Sequence, residues 1–334
     1  MKVLLENRTP FMLAPGGAQV QIEQTKAALE RLGLEVEFLR WWDANQTGDV
    51  LHHFARIPTY QQRLAQRKGM KVVMSAIMSG LGARPGWLRG AQKFALGFAR
   101  PLAPQSVRDL FGWDSYGLLD AILALTPYEA SLLTRVHNAP PSRVHVIPNG
   151  VEDVFLNSQP AARGKWLVCT ANILAMKRVL ELAQMAVQAS TPVWIIGKPH
   201  SEEEDYPKRF REFARLHPEM VRYEGAITDR SQLGRIYREA RGFVLLSEWE
   251  SLSVSALEAA ACECPLLLSD LPWAHDAFKD TATYAPVKES VAAGAVRLRS
   301  FYDAAPNAPA AAKPLSWLDV GRQIKAVYES ILAK

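Results

Sequence analysis

FVLLSEWESLSVSALEAAACECPLLLSD, residues 243–270, opens on an apolar run, crosses a short acidic loop and closes on a second apolar run. Neither FVLLS nor PLLLSD alternates with polar residues, so each reads as a strand buried on both faces. The Ala-rich segment between them reads as a helix near 254–262. Strand, helix and strand in that order imply a parallel sheet with helices packed on it.

The same alternation extends upstream. WLVCTA leads to a helix from about Lys177, then PVWIIG, a helix over 205–216, VRYEG and a helix over 231–240. An earlier series runs KVLLE, a helix in GGAQVQIEQTKAALERLG that stops at Gly33, LEVEFLR, DVLHHFA, KVVMSAIM, AILALT and RVHVI. The pattern restarts after PNGVEDVFLNSQPAARG. Two α/β domains are therefore expected, both doubly wound and Rossmann-like, which agrees with 334 residues being more than one core of ~250–300 residues organises. The expected boundaries are 1–155, 156–312 and 313–334. AAPNAPAAAKP (304–314) reads as a connector, and SWLDVGRQIKAVYESILAK as a last helix.

Hydrophobic residues at 49% and charged residues at 22% exclude a disordered or fibrous chain. No apolar run reaches the ~18–20 residues of a membrane span. MKVLLENRTP turns polar too early for the ~7–15-residue apolar core of a signal peptide. Cys169, Cys262 and Cys264 form no disulfide framework and are expected to pack inertly in a reducing cytoplasm.

Charge is uneven. The net +5 divides into +6 over residues 1–150 and −1 over the rest, and no acid occurs between Asp49 and Asp109, where ten Lys or Arg do. Such a face attracts polyanions. Within it, RPGWLRGAQKFALGFARPL (84–102) mixes Arg84, Arg89, Lys93 and Arg100 with Trp87, Leu88, Phe94 and Phe98. That mixture fits peripheral contact with an anionic membrane surface. The alternative is a solvated helix with its aromatics packed inward. No nucleic-acid partner is expected.

Ligands of open α/β sheets bind beyond the carboxyl ends of the strands, so those loops hold the candidates. GxxxxGK[ST], HExxH, GxSxG and CxxC are all absent. Gly80, Gly82 and Gly86 match a dinucleotide fingerprint imperfectly, with no acid ~20 residues on. His52 and His53 end a strand-like run, and as strand neighbours they point to opposite faces, so at most one faces a site. Glu250 and Glu258, taken as eight residues apart on one helix, span ~12 Å, beyond the ~5–9.5 Å of a glycosidase pair. They suit two grips on one extended ligand, a sugar and a ribose joined by diphosphate, with the helix start between them seating phosphate. The alternative is a capped surface helix with two solvated acids. In TANILAMKRVLELA (170–183), Lys177 and Arg178 stand where a helix start disfavours cations unless an anion sits there.

The ordered set GGAQ (Gly16, Gly17), VIPNGVE (146–152), Lys177, Glu250 with Glu258, and the ACECP turn resembles the retaining nucleotide-sugar glycosyltransferases of family 4, over essentially the whole chain. That resemblance implies the GT-B architecture: two Rossmann-like domains facing a central cleft, with the C-terminal helix crossing back to the N-terminal domain. It implies acceptor binding by the first domain and nucleotide-sugar binding by the second. The reaction would be metal-independent and cofactor-free, moving a sugar from a nucleotide-diphosphate sugar to a glycan or lipid-linked acceptor in cell-surface polysaccharide or glycolipid synthesis. The protein would be cytoplasmic and peripheral at the inner face of the membrane. Lys177 and Glu250 would be catalytic, Lys177 on the donor diphosphate and Glu250 on the transferred sugar. Glu258 would hold the ribose, the amides of Ser251, Leu252, Ser253 and Val254 the phosphates, and Gly16, Gly17, Asn172 and Arg178 would complete the donor site. Asn172 stands where the family usually has Arg, Ile77 where it often has His, Ser251 and Ser253 where it has Gly, and Glu263 where a Gly is usual. These departures leave a second expectation, a catalytically inactive membrane-associated partner with the same fold.

Overall fold

The computed structural model describes residues 1–7, 11, 16–76, 90, 95, 99, 102–110, 114–157 and 161–333. Ile77, Gly80, Gly82 and Gly86 lie outside the described residues. So does nearly all of the basic-aromatic stretch 84–102.

The chain divides into two compact units. One comprises residues 1–12, 18–149 and 317–334, the other 13–17 and 150–316. In the first unit the strands β1 (Lys2–Asn7), β2 (Glu35–Phe38), β3 (Val50–Phe54), β4 (Lys71–Ser75), β5 (Ala121–Ala124) and β6 (Val144–Val146) form one sheet. Their order is β2-β1-β3-β4-β5-β6, and every pairing is parallel. The helices are α1 (Gly17–Arg31), α2 (Thr59–Arg67), α3 (Gln105–Leu110), α4 (Ser115–Leu118) and α5 (Pro127–Arg135). β3 and β5 are buried along their whole length, as unbroken apolar runs require when both faces are covered.

The second unit repeats the scheme with β7 (Leu167–Thr170), β8 (Val193–Ile196), β9 (Val221–Tyr223), β10 (Gly242–Leu245), β11 (Leu266–Ser269) and β12 (Thr283–Ala285). Its order is β12-β11-β10-β7-β8-β9, again all parallel. The helices are α6 (Asp153–Leu156), α7 (Val179–Gln188), α8 (Asp205–Leu216), α9 (Arg230–Glu239), α10 (Val254–Ala261), α11 (Pro272–Phe278) and α12 (Val291–Ala304). The strand order reverses between β7 and β10, which makes the carboxyl ends of those two strands the natural ligand position.

The last helix, α13 (Trp317–Leu332), belongs to the first unit. A Cβ on Gly321 would lie 2.9 Å from the Ala28 Cβ, so the missing side chain lets α13 approach α1 closely. Lys325 Nζ donates to the Leu32 carbonyl at 3.3 Å. His52 Nδ1 lies 2.6 Å from the Tyr328 hydroxyl and His52 Nε2 lies 2.9 Å from the Ser75 hydroxyl. Burial, with a smaller contribution from His53, pushes the His52 pKa down to about 3. The ring is therefore neutral with one N–H, so one hydroxyl accepts from it and the other donates to it. His53 is also buried, its Nδ1 2.5 Å from Glu6 Oε2. Neither histidine is presented to solvent, so His52 serves to fasten α13 to the sheet.

Candidate functional site

Three strand ends build the floor of the site in the second unit. The Ala171 amide donates to Ile196, the Ile173 amide to Lys198 and the Gly197 amide to Gly225, at 3.0–3.1 Å. This lacing presses the β8 loop onto the end of β7. Gly197 has φ +156°, and a Cβ there would fall 1.9 Å from the Ala171 carbonyl oxygen. Backbone cannot swing aside as a side-chain tip can. Gly197→Ala is therefore expected to destabilise the second unit by about 2 kcal/mol or more and to abolish ligand binding at this end of the sheet. A urea melt compared with wild type checks it.

Beyond β7 the chain turns through a short 3₁₀ segment, Ala175–Lys177, and Arg178 takes a left-handed conformation at φ 52°, ψ 36° before α7 begins at Val179. The expected helix start at about Lys177 thus moves two residues on. Lys177 and Arg178 part company as a result. Arg178 is only 7% exposed and donates to the Glu289 carbonyl at 2.7 Å, pinning the segment before α12. Lys177 Nζ instead forms an ion pair with Glu250 Oε1.

Glu250 comes from the loop after β10, and α10 begins only at Val254. The acidic loop before the helix is thus where the sequence placed it, and only the ~12 Å span taken for Glu250 and Glu258 along one helix does not apply, because Glu250 precedes the helix by four residues. The Glu248 amide donates to the Met176 carbonyl at 2.8 Å, tying this loop to the one that carries Lys177. Cys169 lies beneath the pair, its thiol pushed up to about 12 chiefly by burial. Burial also pushes Cys262 and Cys264 up to about 12, in keeping with inert packing.

Ser253 caps α10, its hydroxyl accepting from the Ala256 amide at 3.3 Å and lying 3.1 Å from the Ser255 hydroxyl. Helix geometry then leaves the Val254 and Ser255 amides without an intrahelical acceptor. The Ser247 and Ser251 hydroxyls are buried and make no hydrogen bond among the described residues. Buried polar groups left that way are uncommon and call for a reason. Leu252, next to Ser251, is buried, 6% exposed.

Glu258 is buried on α10. Its Oε1 pairs with Arg230, and the Tyr237 hydroxyl donates to Oε2 at 3.4 Å. Burial pushes its pKa up to about 7, with Arg230 acting in the opposite direction. Arg230 also reaches Glu152 Oε1 at 2.7 Å and lies over the Phe155 ring, 4.8 Å from its centroid. The sequence reading passed over Arg230. The signal was the one it used for Lys177: a cation in the first turn of a helix, here immediately after the Asp229 cap.

Gly16, which groups with the second unit, has φ +153°, and a Cβ there would meet Asn172 Nδ2 at 3.0 Å. Asn172 Nδ2 is also 3.0 Å from His200 Nε2. Gly17 opens α1, and a Cβ on it would meet none of the described residues within 4 Å. Three of the expected residues thus fall into two groups: Lys177 with Glu250, from the loops after β7 and β10, and Glu258, which pairs with the unexpected Arg230 at the start of α9. The Ser251–Val254 turn joins them.

The family model described as glycosyl transferases group 1 matches residues 162–307. Among curated proteins none matches. The chain is similar in structure to a sucrose-phosphate synthase from Thermosynechococcus elongatus, at 15% identity and TM-score 0.73, covering 99% of each chain. It is similar to Anabaena HepE, solved in complex with UDP, at 14% identity and TM-score 0.71, covering 99% of this chain and 100% of that one. A glycosyltransferase from Rickettsia africae aligns at 12% identity and TM-score 0.67, covering 99% and 98%. At such identities the likeness speaks for the fold. Residues 162–307 therefore match the glycosyl transferases group 1 model, in a chain whose two parallel six-stranded sheets have the fold of GT-B glycosyltransferases.

Proposed function

We propose that the protein is a retaining, metal-independent glycosyltransferase. It moves a sugar from a nucleotide-diphosphate sugar to a glycan or lipid-linked acceptor, in cell-surface polysaccharide or glycolipid synthesis at the inner face of the membrane. The observation that carries this reading is the gathering of Lys177, Glu250 and the capped start of α10 where the strand order reverses, within the residues that the group 1 model matches. HepE, of the same fold, was solved with UDP and with UDP-glucose.

In this reading the diphosphate lies against the start of α10. The Val254 and Ser255 amides and the Ser251 hydroxyl donate to it, and Lys177 leaves Glu250 for it. Glu250, so released, accepts from hydroxyls of the transferred sugar, and Glu258 from those of the ribose. The leaving diphosphate gains negative charge as the glycosidic bond breaks, and a fixed cation with fixed amides stabilises that charge without reorganising. Asn172 orients the donor beside Gly16.

A thermal-shift panel of UDP, GDP, ADP and TDP tests the reading. One nucleotide at 100 times its Kd is expected to stabilise the protein by ~2.7 kcal/mol, undiminished by EDTA. The same stabilisation should be lost in Glu258→Ala. Product anomers followed by NMR report whether configuration is retained. Silence across all four nucleotides favours the inactive-partner alternative.

A further inference from the structure

Two tryptophans stand out on the first unit. Trp41 is 87% exposed and Trp42 67% exposed, in the loop that leaves the carboxyl end of the edge strand β2. Their rings meet edge-to-face with centroids 5.6 Å apart at 90°, forming an open corner. Phe38, 40% exposed, lies three residues before them and contacts Phe11 edge-to-face at 6.2 Å.

The backbone under this corner is tightly held. Arg40 donates to Glu37 at 2.8 Å and to Asp43 Oδ2 at 2.9 and 3.1 Å. Gln46 accepts from the Arg40 amide at 2.7 Å and donates both to Glu37 at 2.8 Å and to the Phe38 carbonyl at 3.0 Å. The Asp43 amide donates to the Arg40 carbonyl, and the Gln46 amide to Asp43. Hydrogen bonds from Gln46 first, and then Lys2, hold the Glu37 carboxyl at about 2, so the frame keeps its charge throughout the neutral range. A rigid frame that presents two large apolar rings to water has no folding purpose. It lowers the ordering cost of binding something.

Charge selects the occupant. Glu35, Glu37, Asp43 and Asp49 stand here against two cations, Arg40 and Lys2 of β1, the latter pairing with Glu35 at 2.7 Å and Glu37 at 2.9 Å, so acids remain in excess. An anionic lipid surface is repelled there, since membrane-binding segments pair aromatics with Lys and Arg. Carboxylates and amides beside exposed aromatic rings instead suit a neutral polyol: sugar C–H faces carry partial positive charge and lie on the negative face of a ring, while the hydroxyls donate to the acids. We propose that Trp41 and Trp42 form a stacking platform for the sugar rings of a neutral glycan acceptor. The platform rests on the glycosyltransferase reading and narrows it from glycan or lipid-linked acceptors to glycan chains.

Tryptophan fluorescence of the full chain, titrated with neutral gluco-, manno- and galacto-oligosaccharides of two to seven units, tests it. Quenching that tightens with chain length is expected for at least one series, weakened about tenfold or more in Trp41→Ala and in Trp42→Ala. Both variants should keep the wild-type melting temperature and the wild-type nucleotide shift, because both rings are mostly exposed. Vesicles of phosphatidylcholine with phosphatidylglycerol form the opposing arm. Vesicle binding that falls in the two variants, without oligosaccharide quenching, overturns the proposal in favour of a membrane contact. No quenching by any series overturns it as well. A nucleotide shift seen alongside that silence leaves the transferase reading standing, and loss of both signals removes the two together.

Discussion

Lys177→Ala is expected to lower turnover about 10²–10³-fold, the loss typical when one preorganised donor to developing negative charge is removed. Its amine serves two partners in succession. Without donor it neutralises Glu250, both side chains being mostly shielded from water. With donor bound, in the proposed mechanism, it faces the diphosphate. The substitution therefore removes a transition-state cation and also leaves a partly buried carboxylate unpaired, which costs stability of about 1–3 kcal/mol. The double variant Lys177→Ala/Glu250→Ala separates the two effects. Its melting temperature should return toward wild type, since no lone charge remains, while turnover stays at or below the single variant's level. Turnover that recovers together with stability would make Lys177 a structural counter-ion only. The measurement is kcat and KM with the sugar of whichever nucleotide the binding panel selects.

How much of this the sequence reveals depends on how each feature is encoded. Buried parallel strands announce themselves as apolar runs, and eleven of the twelve observed strands fall on segments read as strands, although β2 (EVEF) and β9 (VRY) are short and carry charge. The exception, β12, is three residues long at a sheet edge with only Ala285 buried, so nothing in TYA sets it apart from a loop. The starts expected for α1, α8, α9, α10 and α13 fall within one residue of those observed. The start of α7 does not, because Arg178 takes a left-handed turn with no glycine or asparagine to announce it. That one residue decides that Lys177 and Arg178 act apart. Glu250, Glu258 and Lys177 were legible as candidates from their place after strands. Their pairing was not, since Lys177 with Glu250 joins residues 73 apart, and Arg230 with Glu258 joins residues 28 apart. The exposed Trp41–Trp42 corner was equally hidden, because a sequence pair of tryptophans reads as core until its exposure is seen.

Arg230→Ala should produce the largest loss of stability, and a pH-dependent one. Glu258 ordinarily titrates near 4.5 and in the folded chain near 7. A proton bound more tightly by the folded state contributes stability that is complete below pH 4.5 and is lost as pH rises through about 7. Above that point the buried carboxylate depends on Arg230. Without the guanidinium, its titration moves further up and the folded chain must carry either an unpaired buried charge or a proton held against the solvent. At pH 5 the carboxyl is protonated with or without Arg230, so the loss should be about 1 kcal/mol, from packing on Phe155 and the partly exposed pair with Glu152. At pH 8.5 it should grow to about 3–5 kcal/mol. Urea unfolding at the two pH values measures the difference, and Glu258→Gln added to Arg230→Ala should erase it. An equal loss at both values would mean that Arg230 acts through its stacking on Phe155 alone. The same reasoning ties stability to ligand binding. A ribose hydroxyl donates to a carboxylate far better than to a carboxylic acid, so Arg230 keeps Glu258 a usable acceptor near neutral pH. Nucleotide affinity in Arg230→Ala should accordingly fall most just above pH 7, where the wild-type carboxyl is ionised and the variant's is not, and recover partly as the pH is raised further, opposite in direction to its stability.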